Sequence, residues 1–188
     1  MKQTPSFSPS IQKAVRIWLL LGLFMVLGQI FIGGVTRLTD SGLSITEWEV
    51  VSGTLPPLNA TQWDKAFEAY KMAASRQHEV LHATMNLAEF KWIYFWEYFH
   101  RLWGRLLGLA FGLPFLVMLV TRRVPFGYAG RLTALLCLGG FQGVIGWWMV
   151  KSGLTEDASV SQYRLALHLG TALVIFSLLL WSGLDLIY

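Results

Sequence analysis

The sequence predicts an all-α polytopic membrane protein, an antiparallel four-helix transmembrane bundle with a long extracytoplasmic first loop that contains short amphipathic helices. Three observations carry this. Of 188 residues, 54% are hydrophobic and 14% charged, with nine Trp and twelve Phe and a mean hydropathy of +0.49. That is the composition of a chain that faces lipid. Four apolar segments, 15–35, 102–120, 132–150 and 165–184, approach the roughly 20 residues a helix needs to cross a hydrocarbon core of roughly 30 Å. The connections 122–131 and 151–162 are short and polar, which makes the helices they join antiparallel neighbours.

The first segment follows a short basic tail but is too long for a signal peptide and lacks a small-residue cleavage site, so it reads as a retained span. The one cysteine, Cys137, falls in the third span. No disulfide framework and no Cys-based zinc site can be built. Lys2, Lys13 and Arg16 precede the first span and Arg122, Arg123 and Arg131 join the second to the third. The positive-inside rule then places both termini in the cytoplasm and the long loop outside, with a counter-signal from Arg37, Lys91 and Lys151 at the opposite ends. The basic residues are scattered around span ends and form no stripe, which excludes a nucleic-acid partner. The lipid bilayer is the partner the composition demands.

Residues 37–92 form a connection far longer than a compact bundle needs, and loops of that length usually carry function. Turn formers stand at Ser41-Gly42 and a rigid turn at Pro56-Pro57. Asn59 is placed to cap a helix over 60–74, with Trp63, Phe67, Tyr70 and Lys71 on one face, read as an interfacial amphipathic helix. Asn86 with Glu89 three residues on forms a capping box, from which helix runs straight into the second span through the aromatic belt "FKWIYFWEYF".

Two stretches compete to be the site. "HEVLH" places His78 and His82 one turn apart with Glu79 between them, the pattern of a zinc protease. A catalytic zinc also needs a third protein ligand. The segment is at most two turns of exposed helix, so two surface histidines on a loop is the better reading.

"WEYFH" opens the second span with Glu97, His100 and Arg101, and Arg105 lies one turn below. Ionisable groups at membrane depth are costly and belong inside the protein with a partner. At about 100° per residue, Glu97, Arg101, Gly104 and Gly108 fall along one stripe with His100 at its edge. The two glycines let something flat, or another backbone, come close. The fourth span repeats the idea with Arg164 and His168, spaced i, i+4. The second and fourth spans run in the same direction, so His100 and His168 lie at similar depth. Two neutral imidazoles on opposite helices suit a six-coordinate haem iron, and arginines at the bundle mouth suit propionates. The same residues also fit interhelical hydrogen bonding by histidine and close packing at glycine, and Gly139, Gly143 and Gly146 of the third span read as packing.

Four strings then carry a specific likeness: "GGVTRLTDSGLSITEWEVVSGTLPPL", "LAEFKWIYFWEYFHRLWGRLLG", "GGFQGVIGWWMVKSGL" and "VSQYRLALHLG". Over residues 33 to 170 the chain closely resembles the haem A synthases of the proteobacterial and mitochondrial type. The resemblance implies an eight-helix inner-membrane protein of two similar halves, each with a His pair on its second and fourth helices. It implies oxidation of the C8 methyl of haem O to the formyl of haem A, for cytochrome oxidase assembly. Residue by residue, Glu97 matches the family's essential Glu of a Glu-x-x-His motif, and His100 and His168 match the N-terminal pair that embraces the substrate haem. Arg101, Arg105 and Arg164 are then propionate partners, and Gly104 and Gly108 lie against the macrocycle. "HEVLH" falls in a variable part of the first loop. The sequence corresponds to the N-terminal half alone, without the second His pair and its haem b. The missing half is expected to continue the chain, or to be replaced by a companion chain or a homo-oligomer. Haem O and the farnesyltransferase that produces it are the further partners implied, in the bacterial inner membrane. A b-type haem electron-transfer or carrier module without catalysis would share the His pair but has no need of Glu97.

Overall fold

A computed structural model of the chain describes residues 9–47, 54–125, 127–156 and 159–186; Lys2 of the basic tail lies outside them. The elements are α1 (Pro9–Leu38), α2 (Ala60–Ala73), α3 (Ser75–Leu81), α4 (Leu87–Val120), α5 (Tyr128–Glu156) and α6 (Gln162–Asp185). Among the described residues there is no strand. The four long helices α1, α4, α5 and α6 are long and apolar enough to cross a membrane. Helix α1 packs on α4 and α6, and α5 packs on the same two. Helices α4 and α6 therefore occupy opposite corners of the bundle.

The sequence explains the helix starts. The Asn59 side chain accepts the Gln62 N–H at 2.9 Å and begins α2. The Asn86 side chain accepts the N–H groups of Ala88 and Glu89, while the Glu89 carboxylate accepts the Asn86 N–H at 2.9 Å, a complete capping box. From that cap α4 runs for 34 residues, about 51 Å at about 1.5 Å per residue. It is longer than the hydrocarbon core, and its first turns project beyond it. The connection to α5 turns at Gly127, whose φ of 79° is left-handed and suits glycine.

Two expectations need correction. The stretch after 150 was assigned to a loop, yet α5 continues to Glu156. Gly153 explains the fit, because a Cβ there would stand 2.9 Å from Leu43 Cδ2 of the first loop, so the bare backbone is what lets that loop pack. The face of α2 was assigned to the membrane surface. Instead, Phe67 and Tyr70 are buried, Phe67 stacks on Phe90 of α4 at 4.8 Å, and Trp63 meets Tyr94 edge-on at 5.0 Å. Protein, not lipid, covers the apolar stripe.

Two apolar clusters result. One joins Val15, Leu19 and Val26 of α1 to Phe111, Phe115, Leu132, Leu135, Ile175 and Leu179 at the end where α4 meets α5. The other joins Leu43, Phe67, Tyr70, Ala74, Phe90 and Ile93 at the loop end. Along α4, Glu97 and His100 lie between Ile93 of one cluster and Phe111 of the other. Along α6, His168 precedes Ile175 and Leu179. The polar level of the bundle is thus closed by packed side chains at both ends.

Candidate functional site

The site is built from four helices and one loop. His100 projects from α4 against α1, where a Cβ at Gly33 would stand 2.9 Å from the imidazole Cε1. Only glycine leaves the ring that position. The Gln29 carboxamide nitrogen, one turn before Gly33, lies 3.3 Å from Nδ1 and 3.2 Å from Nε2 of His100, and donates to the His100 carbonyl at 3.2 Å. His168 projects from α6 against α5, where a Cβ at Gly146 would stand 3.3 Å from its Cε1. Gln142 of α5 donates to the His168 carbonyl at 2.7 Å. Nδ1 of His168 is buried without a hydrogen-bond partner. An interhelical hydrogen bond therefore accounts for one contact of His100 but not for Nδ1 of His168.

Glu97 is buried, and its partners come mainly from the first loop. Oε2 accepts the Ser44 hydroxyl at 2.7 Å and the Ile45 N–H at 2.9 Å, and Oε1 accepts from Arg101 at 2.5 Å. Arg101 also donates to the carbonyls of Ile45 at 2.9 Å and Glu47 at 3.2 Å. Three donors, one of them a guanidinium, fix the orientation of the carboxylate. The loop 41–45 folds in with Ser41, Leu43 and Ser44 fully or almost fully buried, Leu43 against the bare backbone of Gly153.

The remaining predicted residues are spread along the same level. Arg164, one turn before His168, lies over the Trp148 ring of α5 at 4.9 Å. Arg105 is one turn beyond Arg101. Gly104 faces the Gln29 carboxamide, whose nitrogen would be 3.4 Å from a Cβ there, and at Gly108 nothing lies within 4 Å of such a Cβ. The same open space surrounds Gly139 and Gly143, so the packing assigned to them is not found among the described residues, and only Gly146 of that trio faces a neighbour, the His168 ring.

The "HEVLH" stretch serves the loop. It forms the end of the short helix α3 and its C-cap His82, whose Nδ1 lies 2.6 Å from the Tyr70 hydroxyl; that hydroxyl donates to Gln77 at 3.2 Å. Gln77 in turn donates to the Asp40 carbonyl at 3.1 Å. Burial pushes the His82 imidazole below its usual value and the Tyr70 phenol well above its own, the latter helped by the charges of Asp40 and Glu97. Both groups stay neutral at pH 7 and tie α2 to α3. Among the described residues no group of three or more His, Cys, Asp or Glu side chains is placed to hold a metal ion.

Gln29, Gly33, Gln142 and Ser44 escaped the reading of the sequence. A signal existed for the first three: Gln-x-x-x-Gly occurs at 29–33 and again at 142–146, each time within an apolar run. For Ser44 there was none beyond its place in a polar turn.

Fold and site together define an α-helical integral membrane protein with one imidazole on each of two opposite helices and a buried carboxylate one turn from the first. The family model described as cytochrome oxidase assembly protein, COX15-CtaA, matches residues 16–188, and the chain belongs to that family. It is 51% identical over 174 residues to the heme A synthase of Parvibaculum lavamentivorans, an alignment covering 93% of this chain and 50% of that protein. It is 50% identical to the heme A synthase of Cereibacter sphaeroides, with 92% and 44% covered, and 46% identical to that of Flavobacterium psychrophilum, with 94% and 52% covered. The chain spans about half the length of the curated relatives it matches. No solved structure matches.

Proposed function

We propose that this chain is the substrate-haem half of a haem A synthase, which holds haem O between His100 and His168 while the C8 methyl is oxidised to a formyl group. The observation that carries this reading is the pair of imidazoles on opposite corners of the bundle, at one level between two apolar clusters, each ring resting on a glycine of the next helix. The two rings would ligate the iron through Nε2. Arg105 and Arg164 are the propionate partners of this reading. Arg101 is already engaged by Glu97 and two loop carbonyls, so its part is to hold the carboxylate. Gly108, with open space beside it, leaves the macrocycle an approach along α4, and Gly104 one turn before it faces the Gln29 carboxamide.

Glu97 is the carboxylate nearest in sequence to a proposed ligand. Its oxygens are already engaged by three donors, which favours stabilisation of developing positive charge at the substrate over proton abstraction. In the inner membrane, both termini would face the cytoplasm and the loop between α1 and α4 the outside. The second half of the family's fold, with its own haem b, and the farnesyltransferase that makes haem O are the partners this reading calls for.

The test is spectroscopic. The chain loaded with haem b or haem O should give low-spin bis-His spectra. Replacing His100 or His168 by Ala should change ligation, while replacing His78 and His82 together should not. Equal loss from the loop pair would refute the assignment. In the complete two-half protein, Glu97→Gln should retain haem O and form little haem A; normal yield would remove Glu97 from the mechanism. Cysteine at Ser75 should label only from outside the cell and cysteine at Thr121 only from within, and the reverse result would invert the topology.

A further inference from the structure

Each proposed ligand is backed by the same two residues on the neighbouring helix. On α1, Gln29 donates to the backbone carbonyl of His100, and Gly33 four residues on lies under the imidazole. On α5, Gln142 donates to the backbone carbonyl of His168, and Gly146 four residues on lies under that imidazole. Residues spaced i, i+4 share a helix face. One face of α1 and one face of α5 thus grip a histidine's carbonyl with an amide and offer its ring bare backbone.

Packing alone does not account for glutamine here. In the interior of a membrane bundle an apolar side chain of similar volume would fill the space with no polar atom to satisfy. Both glutamines instead bury a carbonyl oxygen, Oε1 of Gln29 and Oε1 of Gln142, that has no donor. Nδ1 of His168, on the residue Gln142 already touches, is buried and unpartnered as well. Each glutamine that touches a proposed ligand's backbone thus keeps an unmet acceptor, and one of the two ligands keeps an unmet ring nitrogen. A neutral imidazole that ligates iron through Nε2 carries its proton on Nδ1, and a ligating histidine almost always gives that proton to an acceptor outside the metal's own shell.

We infer that Gln29 and Gln142 are matched positioning residues: each holds the histidine's helix through its N–H in the chain as it stands, and each would supply, through Oε1, the acceptor for the Nδ1–H of a ligating imidazole. The inference rests on the bis-His reading above. At His100 the carboxamide nitrogen now stands beside both ring nitrogens. With the ring ligating through Nε2, that carboxamide would turn about its soft terminal torsion, giving up its bond to the His100 carbonyl so that the oxygen faces Nδ1. An acceptor at Nδ1–H makes the ring a stronger donor to iron, which tightens binding and lowers the reduction potential.

The experiment uses the full chain in lipid nanodiscs with haem b as the probe, following haem affinity, the low-spin g values and the midpoint potential. Gln29→Leu and Gln142→Leu remove the acceptor at similar size. Each should keep two histidine ligands, weaken haem binding about tenfold to a hundredfold and raise the midpoint potential. Gln29→Glu and Gln142→Glu keep an acceptor, and their potential should lie at or below that of the unaltered chain. If a Leu variant fails to fold, the Glu variant together with the Asn variant, whose shortened amide reaches less far, decides by the same order of potentials. Unchanged potentials and g values in the Leu variants, or Glu variants that follow Leu, overturn the inference. A chain whose haem is not bis-His to begin with, or whose ligation survives loss of His100 and His168, fails the ligation reading itself, and the two failures are distinguishable.

Discussion

Pro114 lies inside α4 and has no N–H, which leaves the carbonyl of Ala110, one turn earlier, without its helical partner. The indole of Trp18 on α1 supplies the donor at 2.8 Å, and the same ring stacks on Phe111 at 4.6 Å. Trp18→Phe keeps an aromatic ring against Phe111 and deletes the donor. No water reaches a carbonyl at that depth to replace it. A buried acceptor left unmade costs about 1–3 kcal/mol in soluble proteins, while interhelical bonds in membranes average about 0.6 and reach about 1.7 kcal/mol. Ala110 belongs at the upper end of the membrane range, because its own helix offers no substitute in either the folded or the separated state. The expected cost is about 1–2 kcal/mol. Pro114→Ala restores the helical N–H, and in that background Trp18→Phe should lose only ring size. The coupling between the two substitutions should be about 1 kcal/mol. Reversible unfolding in mixed micelles, followed by far-UV circular dichroism, measures all four corners of the cycle. A cost for Trp18→Phe that is the same with and without Pro114 would refute the reasoning.

Three further outcomes follow from the geometry. Gly33→Ala should disturb ligation at His100 more than Gly146→Ala disturbs it at His168, because the new methyl would meet the ring at 2.9 Å in one case and 3.3 Å in the other; equal spectra from the two variants would contradict this. Ser44→Ala removes one of three donors to Glu97, and hydrogen exchange across residues 41–47 should quicken while the rest of α4 is unaffected. The folded His82 has its pKa held below the ordinary 6.5, with burial the largest cause, the charge of His78 also lowering it and Asp40 and Glu89 raising it. The unfolded state therefore binds more protons between the two values, so stability rises with pH, is fully present above the unfolded pKa and is lost as pH falls through the folded one. Exchange of α2 amides should be faster at about pH 5 than at about pH 8, and equal rates would show that His82 does not tie α2 to α3.

What the sequence disclosed, it disclosed through strong local rules. Apolar runs fixed the four long helices, and Asn59 and Asn86 with Glu89 fixed two helix starts, because a cap is decided by residues three apart. The helix ends were less legible: nothing between Trp148 and Glu156 says whether helix continues, since Gly153 serves a contact with Leu43, more than a hundred residues away in the chain. The apolar face of α2 was visible but not its partner, as an amphipathic stripe looks the same whether lipid or α4 covers it. At the site, charged residues announced themselves by their cost, and the uncharged ones did not. Gln29 in "GQIFIGG" reads as one tolerated amide in an apolar span until its spacing to Gly33 is set beside that of Gln142 to Gly146.

The loop and the candidate site share one carboxylate, and this changes how a substitution at Glu97 has to be interpreted. Its Oε2 fastens Ser44 and Ile45, and Leu43 beside them is seated against Gly153 of α5. Its Oε1 holds Arg101, which grips the same loop through the carbonyls of Ile45 and Glu47. Neutralising Glu97 therefore removes a charge one turn from His100 and also loosens the cover over the bundle mouth. Under the proposed function, loss of haem A after Glu97→Gln in the complete two-half protein is open to both explanations when taken alone. Ser44→Ala separates them, since it weakens the cover and leaves the charge in place. If the loosened cover is the cause, Ser44→Ala reproduces a good part of the loss; if the charge is, Ser44→Ala loosens residues 41–47 and leaves haem A formation close to normal. The three-donor geometry, which leaves the carboxylate held by the Ile45 N–H and Arg101 when the Ser44 hydroxyl is lost, predicts the second result.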